Sequence, residues 1–139
     1  MNIEFIASIA IIARDPARSR KLFMDTLRLP LAAQPGDDYF HSEAIGGAKH
    51  FGVWPLSQAA QACFGRSEWP TDLPIPQASI EFEVKDEAAV DNAARELDSA
   101  GYTLLHGVRT EAWGQTVARW LSAEGAILGI SYAPWLHTS

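Results

Sequence analysis

Apolar and polar positions follow the same order twice along this chain. The segments Ser8–Asp15 (SIAIIARD) and Ser79–Asp86 (SIEFEVKD) each have a serine, an apolar run, a basic residue and an aspartate. Short apolar or alternating runs of this kind, rich in β-branched residues, predict β-strands. Because the elements that follow also match, the pattern indicates an internal repeat.

A helix is predicted directly after each aspartate. Asp15 followed by Pro16 is a strong helix start, because aspartate caps the first turn and proline fits the first helical position. We expect this helix to end before Pro30. After Asp86 the apolar spacing i, i+3, i+4, i+7 of an amphipathic helix is provided by Val90, Ala93, Ala94 and Leu97.

Three short strands are predicted after each helix, separated by glycine-containing turns. In the first half they cover residues 31–33, 39–44 and 50–54, and in the second half residues 103–106, 115–121 and 127–132. Each half is therefore a βαβββ module. We predict a single α+β domain over residues 1–139, made of module 1 (1–55), a connector with a short helix (56–77) and module 2 (78–139).

Composition and charge agree with one globular domain and exclude some partners. The chain has 139 residues, of which 47% are hydrophobic and 20% charged. A net charge of −6 without a basic cluster argues against nucleic acid and against an anionic membrane surface. Cys63 is the only cysteine, so no intrachain disulfide can form, and we expect it to be a small buried residue. With no signal-peptide pattern, we expect a cytoplasmic protein.

Two βαβββ modules with these strand–Asp–helix openings resemble the vicinal-oxygen-chelate superfamily. Its members include glyoxalase I, extradiol dioxygenases, fosfomycin-resistance proteins and bleomycin-binding proteins. The most specific matches are ARDPARS (residues 13–19) and the closing run WGQT…AEG…GI (residues 113–130). The resemblance implies the glyoxalase/bleomycin-resistance fold, in which two modules form a cupped mixed sheet.

The resemblance also implies where a metal ion would be bound. Metal-using members place one ligand at the start of the first strand of each module and one in the last strand. The matching positions here are Ser8, Ser79, Gly129 and, in the first module, Phe51. These residue types cannot hold a divalent cation. We therefore predict no metal cofactor, which removes the basis for glyoxalase I or dioxygenase chemistry.

Strand alternation predicts which side chains face the interior of the cup. Ser8 and Ala10 share one face of their strand, and Ser79 and Glu81 share one face of theirs. Glu81 is thus a candidate catalytic acid or base, because burial among apolar groups raises the pKa of a carboxyl. The alternative is that Glu81 pairs with Arg119 or Arg109, or reaches solvent.

Aromatic and polar residues near these strands predict a mostly apolar pocket. Trp54 and Trp113 are candidates for its walls, although either could belong to the core or to a dimer contact. His50 and Gln115 are candidates for its polar groups. The predicted ligand-binding residues are Ser8, His50, Phe51, Trp54, Ser79, Trp113, Gln115 and Gly129.

Several functions remain open at this point. The leading hypothesis is a metal-free protein that binds a mid-sized, partly apolar organic molecule. A second is a metal-independent lyase or isomerase that uses Glu81. A third is a metal-dependent lyase or dioxygenase with relocated ligands, for which His41, Glu43 and His50 are the candidates. A fourth is a domain that acts only through protein contacts.

A homodimer is expected from the resemblance. Exposed sheet edges and the apolar pair Trp135-Leu136 near the C-terminus support it. His137 is expected to lie in a frayed tail.

Overall fold

The computed structural model describes residues 1–137 and contains two modules of strands and helices. No helix in this range is long and apolar enough to cross a membrane. The strands are β1 (Phe5–Ala13), β2 (Phe40–Ser42), β3 (Phe51–Pro55), β4 (Ala78–Glu83), β5 (Leu104–Thr110), β6 (Thr116–Leu121) and β7 (Ile127–Tyr132). The α-helices are α1 (Pro16–Arg20), α2 (Leu56–Phe64) and α3 (Glu87–Ser99), with a π-helical segment Lys21–Thr26 after α1 and a 3-10 helix Pro134–His137.

The two modules repeat one strand order. All seven strands form a single open sheet with the order β2-β3-β1-β4-β7-β6-β5. In each module the first strand is parallel to the last, so that β1 pairs with β3 and β4 pairs with β7. The antiparallel pair β1–β4 joins the modules at the centre. The predicted α+β class and the repeated module are confirmed.

Both predicted helix starts are capped by their aspartates. The side chain of Asp15 accepts the N–H of Arg18 at 3.2 Å, and that of Asp86 accepts the N–H of Ala89 at 2.8 Å. Such a cap satisfies a donor that the first turn of a helix leaves unpaired. The identical caps explain why two sequences with few identities begin their helices at equivalent places.

Of the strands predicted in the first module, one is wrong and another is too long. The strand predicted at residues 31–33 is reduced to an isolated bridge between Ala32 and His41. The strand β2 spans three residues, because side chains take the backbone donors on both sides of it. Asp37 accepts the N–H of Tyr39 and Ser42 accepts the N–H of Ala44, both at 2.9 Å.

The faces of the sheet divide as alternation predicts. The outer face packs under the helices, with Val84 and Ile130 against Val90 and Ala93 of α3. On the inner face, α2 covers only one end, where Ile12 and Ile127 pack around Cys63 and Trp69. Cys63 is buried, as expected, and its burial raises the pKa of the thiol to about 11. The rest of the inner face is left open by the helices.

The C-terminal segment folds back across this open part of the inner face. Glu83 is fully buried at the end of β4. Its Oε2 accepts the N–H of Ala133 at 2.5 Å and lies 2.8 Å from Nε2 of His137. His137 also packs against the rings of Phe5 and Tyr132. The expectation of a frayed tail is therefore wrong as far as His137, because a buried carboxylate holds the segment in place.

Replacing Glu83 with glutamine should change how stability depends on pH. Burial raises the pKa of this carboxyl above its ordinary value of 4.5. A raised folded-state pKa gives a contribution to stability that is fully present below pH 4.5 and is lost as pH rises through the folded-state pKa. The free energy of unfolding of the unaltered chain minus that of Glu83→Gln should therefore decrease as the pH rises above about 4.

Urea unfolding followed by circular dichroism across the pH range measures this difference. The exposed Glu124 offers a matched control, because Glu124→Gln makes the same chemical change on the surface of the protein. A flat difference for Glu83→Gln would contradict the assignment of this titration to Glu83.

Candidate functional site

A cavity of about 500 Å³ lies on the open part of the inner face. Its floor comes from the central strands β1 and β4, through Ser8, Ala10 and Ser79. Residues of both modules and of the C-terminal segment form its walls. Its volume is within the usual range for small-molecule sites, roughly 300–1,000 Å³.

Most of the predicted site residues meet at this cavity. Those that line it are Ser8, His50, Trp54, Ser79, Glu81, Trp113 and Gln115. They come from separate parts of the chain and are brought together by the curvature of the sheet. Phe51 and Gly129, in contrast, are not among the lining residues.

The prediction for Phe51 is off by one residue. Phe51 pairs with Ile9 on the outer face, where its ring lies 6.1 Å from that of Phe23. The inner-face residue is Gly52, which pairs with Ala10 as Gly129 pairs with Glu81 in the second module. From the turn glycine to the inner-face glycine, the first module (Gly47 to Gly52) is one residue longer than the second (Gly125 to Gly129), so the position equivalent to Gly129 is Gly52 and not Phe51.

Both modules therefore carry glycine at the inner-face position of their last strand, and a side chain covers each glycine. A Cβ atom on Gly52 would lie 2.6 Å from Cε1 of Tyr39, and one on Gly129 would lie 3.2 Å from Cγ of Glu81. Two hydroxyls and two glycines make no donor set for a divalent cation. The residues at the superfamily's metal positions thus do not fit a metal ion.

Glu81 is held at the cavity wall by two donors. Nε2 of Gln115 donates to Oε1 of Glu81 at 2.9 Å and also lies 2.9 Å from Oγ of Ser131. Nη2 of Arg119 lies 3.6 Å from Oε2 of Glu81. The predicted alternative, pairing with Arg119, is confirmed, whereas an acid–base role for Glu81 stays a prediction.

Arg119 lies at the centre of a buried network of polar groups. Only 2% of its side chain is exposed. Nη1 of Arg119 lies 3.5 Å from Oε1 of Glu111 and 3.2 Å from Nε2 of His106. The guanidinium group also lies 5.6 Å from the ring centre of Trp54. Burial lowers the pKa of His106, which favours the neutral imidazole beside the guanidinium. Glu81 thus compensates the buried cation, while Glu111 is shared with Arg109, its nearer partner at 2.7 Å.

Tyr39 is a prominent cavity residue that the sequence did not reveal. Its hydroxyl lies 2.5 Å from Nε2 of His50, and Nδ1 of His50 lies 3.5 Å from Oε1 of Glu43. His41 stacks on both Tyr39 and His50, with ring centres 4.7 and 5.1 Å away. Burial, together with the charges of nearby carboxylates, raises the pKa of Tyr39, so the hydroxyl keeps its proton.

The relocated metal site predicted from His41, Glu43 and His50 is not formed. Within residues 1–137 no group of three or more His, Cys, Asp or Glu side chains is arranged to hold a metal ion. The two imidazoles stack face to face, and Nε2 of His50 is engaged by Tyr39. This arrangement prevents the two rings from converging on one cation.

Tryptophan side chains surround the mouth of the cavity. Trp113 is 55% exposed and donates to Oε1 of Gln115 at 2.9 Å. Trp135 is 40% exposed and donates to Oε1 of Glu43 at 3.2 Å. Trp135 and Leu136, which are expected at a dimer contact, line the cavity of the single chain. The homodimer itself remains a prediction.

Comparison with known proteins finds likeness in structure but not in sequence. No family model matches the chain, and no curated protein matches it. A glyoxalase/bleomycin resistance protein/dioxygenase superfamily member from Vibrio splendidus 12B01 aligns with a TM-score of 0.60 at 11% identity, over 95% of this chain and 100% of that one.

Two enzymes of known activity align as well. The 2,2',3-trihydroxybiphenyl 1,2-dioxygenase of Sphingomonas wittichii RW1 gives a TM-score of 0.59 at 14% identity, over 92% of this chain and 42% of that one. A methylmalonyl-CoA epimerase variant of Streptomyces coelicolor, in complex with 2-nitronate-propionyl-CoA, gives a TM-score of 0.56 at 14% identity, over 99% of this chain and 100% of that one. At these identities the likeness concerns the fold.

Proposed function

We propose that this chain, which has the fold of the glyoxalase/bleomycin resistance/dioxygenase superfamily, binds a mid-sized, partly apolar organic molecule without a metal ion. One observation carries the proposal. The inner-face positions of the last strands are Gly52 and Gly129, and the side chains of Tyr39 and Glu81 cover them. In each module, the position that a metal ligand would take is thus covered by a side chain of the cavity wall, which suits an organic ligand.

The composition of the wall supports an organic ligand. Aromatic rings provide apolar contact area at little cost in side-chain entropy, and a few polar groups set orientation. Trp54 and Tyr39 form the inner wall, while Trp113 and Trp135 lie at the mouth. Ser79, buried at the floor, supplies a hydroxyl to a bound molecule.

A thermal-shift and tryptophan-fluorescence screen of small organic compounds tests this function. A ligand present at one hundred times its Kd should stabilise the fold by about 2.7 kcal/mol and so raise the melting temperature. Because tryptophans line the cavity, the same compound should change tryptophan emission. Compounds that raise the melting temperature without changing emission would indicate binding elsewhere.

Metal analysis of protein purified without chelator or a His-tag is the complementary measurement. We expect far less than one equivalent of any divalent transition metal, and no change in melting temperature on addition of EDTA. A stoichiometric metal whose removal lowers the melting temperature would contradict the metal-free proposal.

A further inference from the structure

The hydroxyl of Tyr39 presents acceptor lone pairs to the cavity. The carboxylate of Glu43, with Oε1 3.5 Å from Nδ1 of His50, can only accept a hydrogen bond and so favours the tautomer of His50 that carries hydrogen on Nδ1. In that tautomer Nε2 is an acceptor, and the Tyr39 hydroxyl, 2.5 Å from Nε2, donates to it. Its oxygen then remains available to accept a bond from a ligand donor.

Carboxylates outnumber cations around the cavity. Asp37, Glu43 and Glu81 line it, and Arg119 is the only lysine or arginine among the lining residues in the described part of the chain. Arg119 pairs with Glu81 at 3.6 Å, and the nearer partner of Glu111, outside the lining, is Arg109 at 2.7 Å. The charge of Arg119 is therefore compensated by Glu81, and Asp37 and Glu43 give the lining an excess of negative charge.

The remaining wall is aromatic. The ring faces of tryptophan and tyrosine carry partial negative charge and attract cations as well as apolar groups. His41 adds no positive charge near neutral pH, because burial and the neighbouring His50 lower its pKa. Hydroxyl and carboxylate acceptors beside aromatic faces are the surroundings that offset the desolvation of a buried cation.

We propose that the ligand of this cavity is an organic ammonium, a protonated amine on an aromatic or otherwise apolar body. The proposal rests on the proposed function and specifies the charge of its ligand. The ammonium binds among Tyr39 Oη, Glu43 and Glu81, and the apolar body packs on Trp54 and the tryptophans at the mouth. An anion of the same shape would meet more carboxylates than lysine or arginine side chains in the lining and is disfavoured.

Three compounds with one ring system and different charges test the proposal. They are 2-naphthylmethylammonium, the neutral 2-naphthylmethanol and the anionic 2-naphthoate, each titrated by isothermal calorimetry into the unaltered chain at pH 7. A bond to a charged group is worth about a factor of ten or more in Kd. The amine should therefore bind at least tenfold more tightly than the alcohol, and the carboxylate most weakly.

Two variants locate the effect in the cavity. Glu43→Gln keeps the side-chain shape and removes the charge, and Tyr39→Phe keeps the ring and removes the acceptor. Each should weaken binding of the amine about tenfold and leave binding of the alcohol nearly unchanged. Glu124→Gln, an exposed carboxylate outside the cavity lining, is the matched control and should leave all three affinities unchanged.

The outcomes separate the two proposals. If the alcohol or the carboxylate binds as tightly as the amine, the ammonium proposal is wrong and the small-molecule function stands. If none of the three binds, both proposals are contradicted. If the control weakens the amine as much as Glu43→Gln does, binding follows overall charge and the cavity assignment is overturned. The comparison of probes on the unaltered chain does not depend on how any variant folds.

Discussion

Replacing Arg119 with methionine should lower the free energy of unfolding by about 3–5 kcal/mol. Methionine fills most of the volume of the arginine stem, so the loss comes from charge and not from a large void. Glu81, which is 13% exposed, would be left without its cation, while Glu111 would keep Arg109 at 2.7 Å and lose its second partner. A buried charge that loses its partner retains its desolvation cost without compensation, which makes this the largest expected effect in the chain.

Chemical denaturation of three proteins checks this expectation. Arg95→Met changes an exposed arginine of α3 in the same way and should cost less than about 0.5 kcal/mol. The double variant Arg119→Met/Glu81→Gln removes the stranded charge and should recover much of the loss. A double variant no more stable than Arg119→Met would show that packing of the arginine, and not its charge, is what stabilises the fold.

The second large effect is expected from Gly52→Ala. A methyl group here would lie 2.6 Å from Cε1 and 2.7 Å from the hydroxyl of Tyr39, closer than atoms can approach. The ring must therefore leave its place and lose its hydrogen bond to His50. Overpacking of this kind costs about 1–3 kcal/mol, and the displaced ring should also weaken binding of the amine probe at least tenfold.

Gly46→Ala is the matched control, because nothing lies within 4 Å of a Cβ atom at Gly46. It should leave stability and binding nearly unchanged. A double-mutant cycle with Tyr39→Ala isolates the cause. If the clash with the ring is responsible, Gly52→Ala should lower the free energy of unfolding only slightly in a chain that already carries Tyr39→Ala. A decrease as large as in the unaltered chain would contradict the role assigned to Tyr39.

The repeated elements of the fold follow from local signals in the sequence. Asp15 and Asp86 mark two helix starts whose caps depend on residues three positions away. The last strand, predicted at residues 127–132, occurs at Ile127–Tyr132. Strand alternation then places Ser8, Ser79 and Glu81 on the inner face. These features depend on neighbours in the sequence, and so a single sequence suffices for them.

The features that were missed depend on contacts between distant parts of the chain. The position of Tyr39 over Gly52 requires the pairing of β2 with β3. The fixed C-terminal segment requires Glu83 to be buried 54 residues away from His137. Neither contact leaves a local pattern, and so the sequence alone predicts neither Tyr39 in the site nor an ordered segment at His137.

The bond between Glu83 and His137 has a practical consequence for anyone who modifies this protein. The last described turn of the chain forms one side of the cavity mouth, with Trp135 at the rim and Leu136 in the wall. A tag, dye or fusion partner attached behind His137 would begin beside the entrance and could obstruct it. Attachment before Met1, whose amino group lies 2.6 Å from Glu96 of α3, keeps added material on the helical side of the sheet.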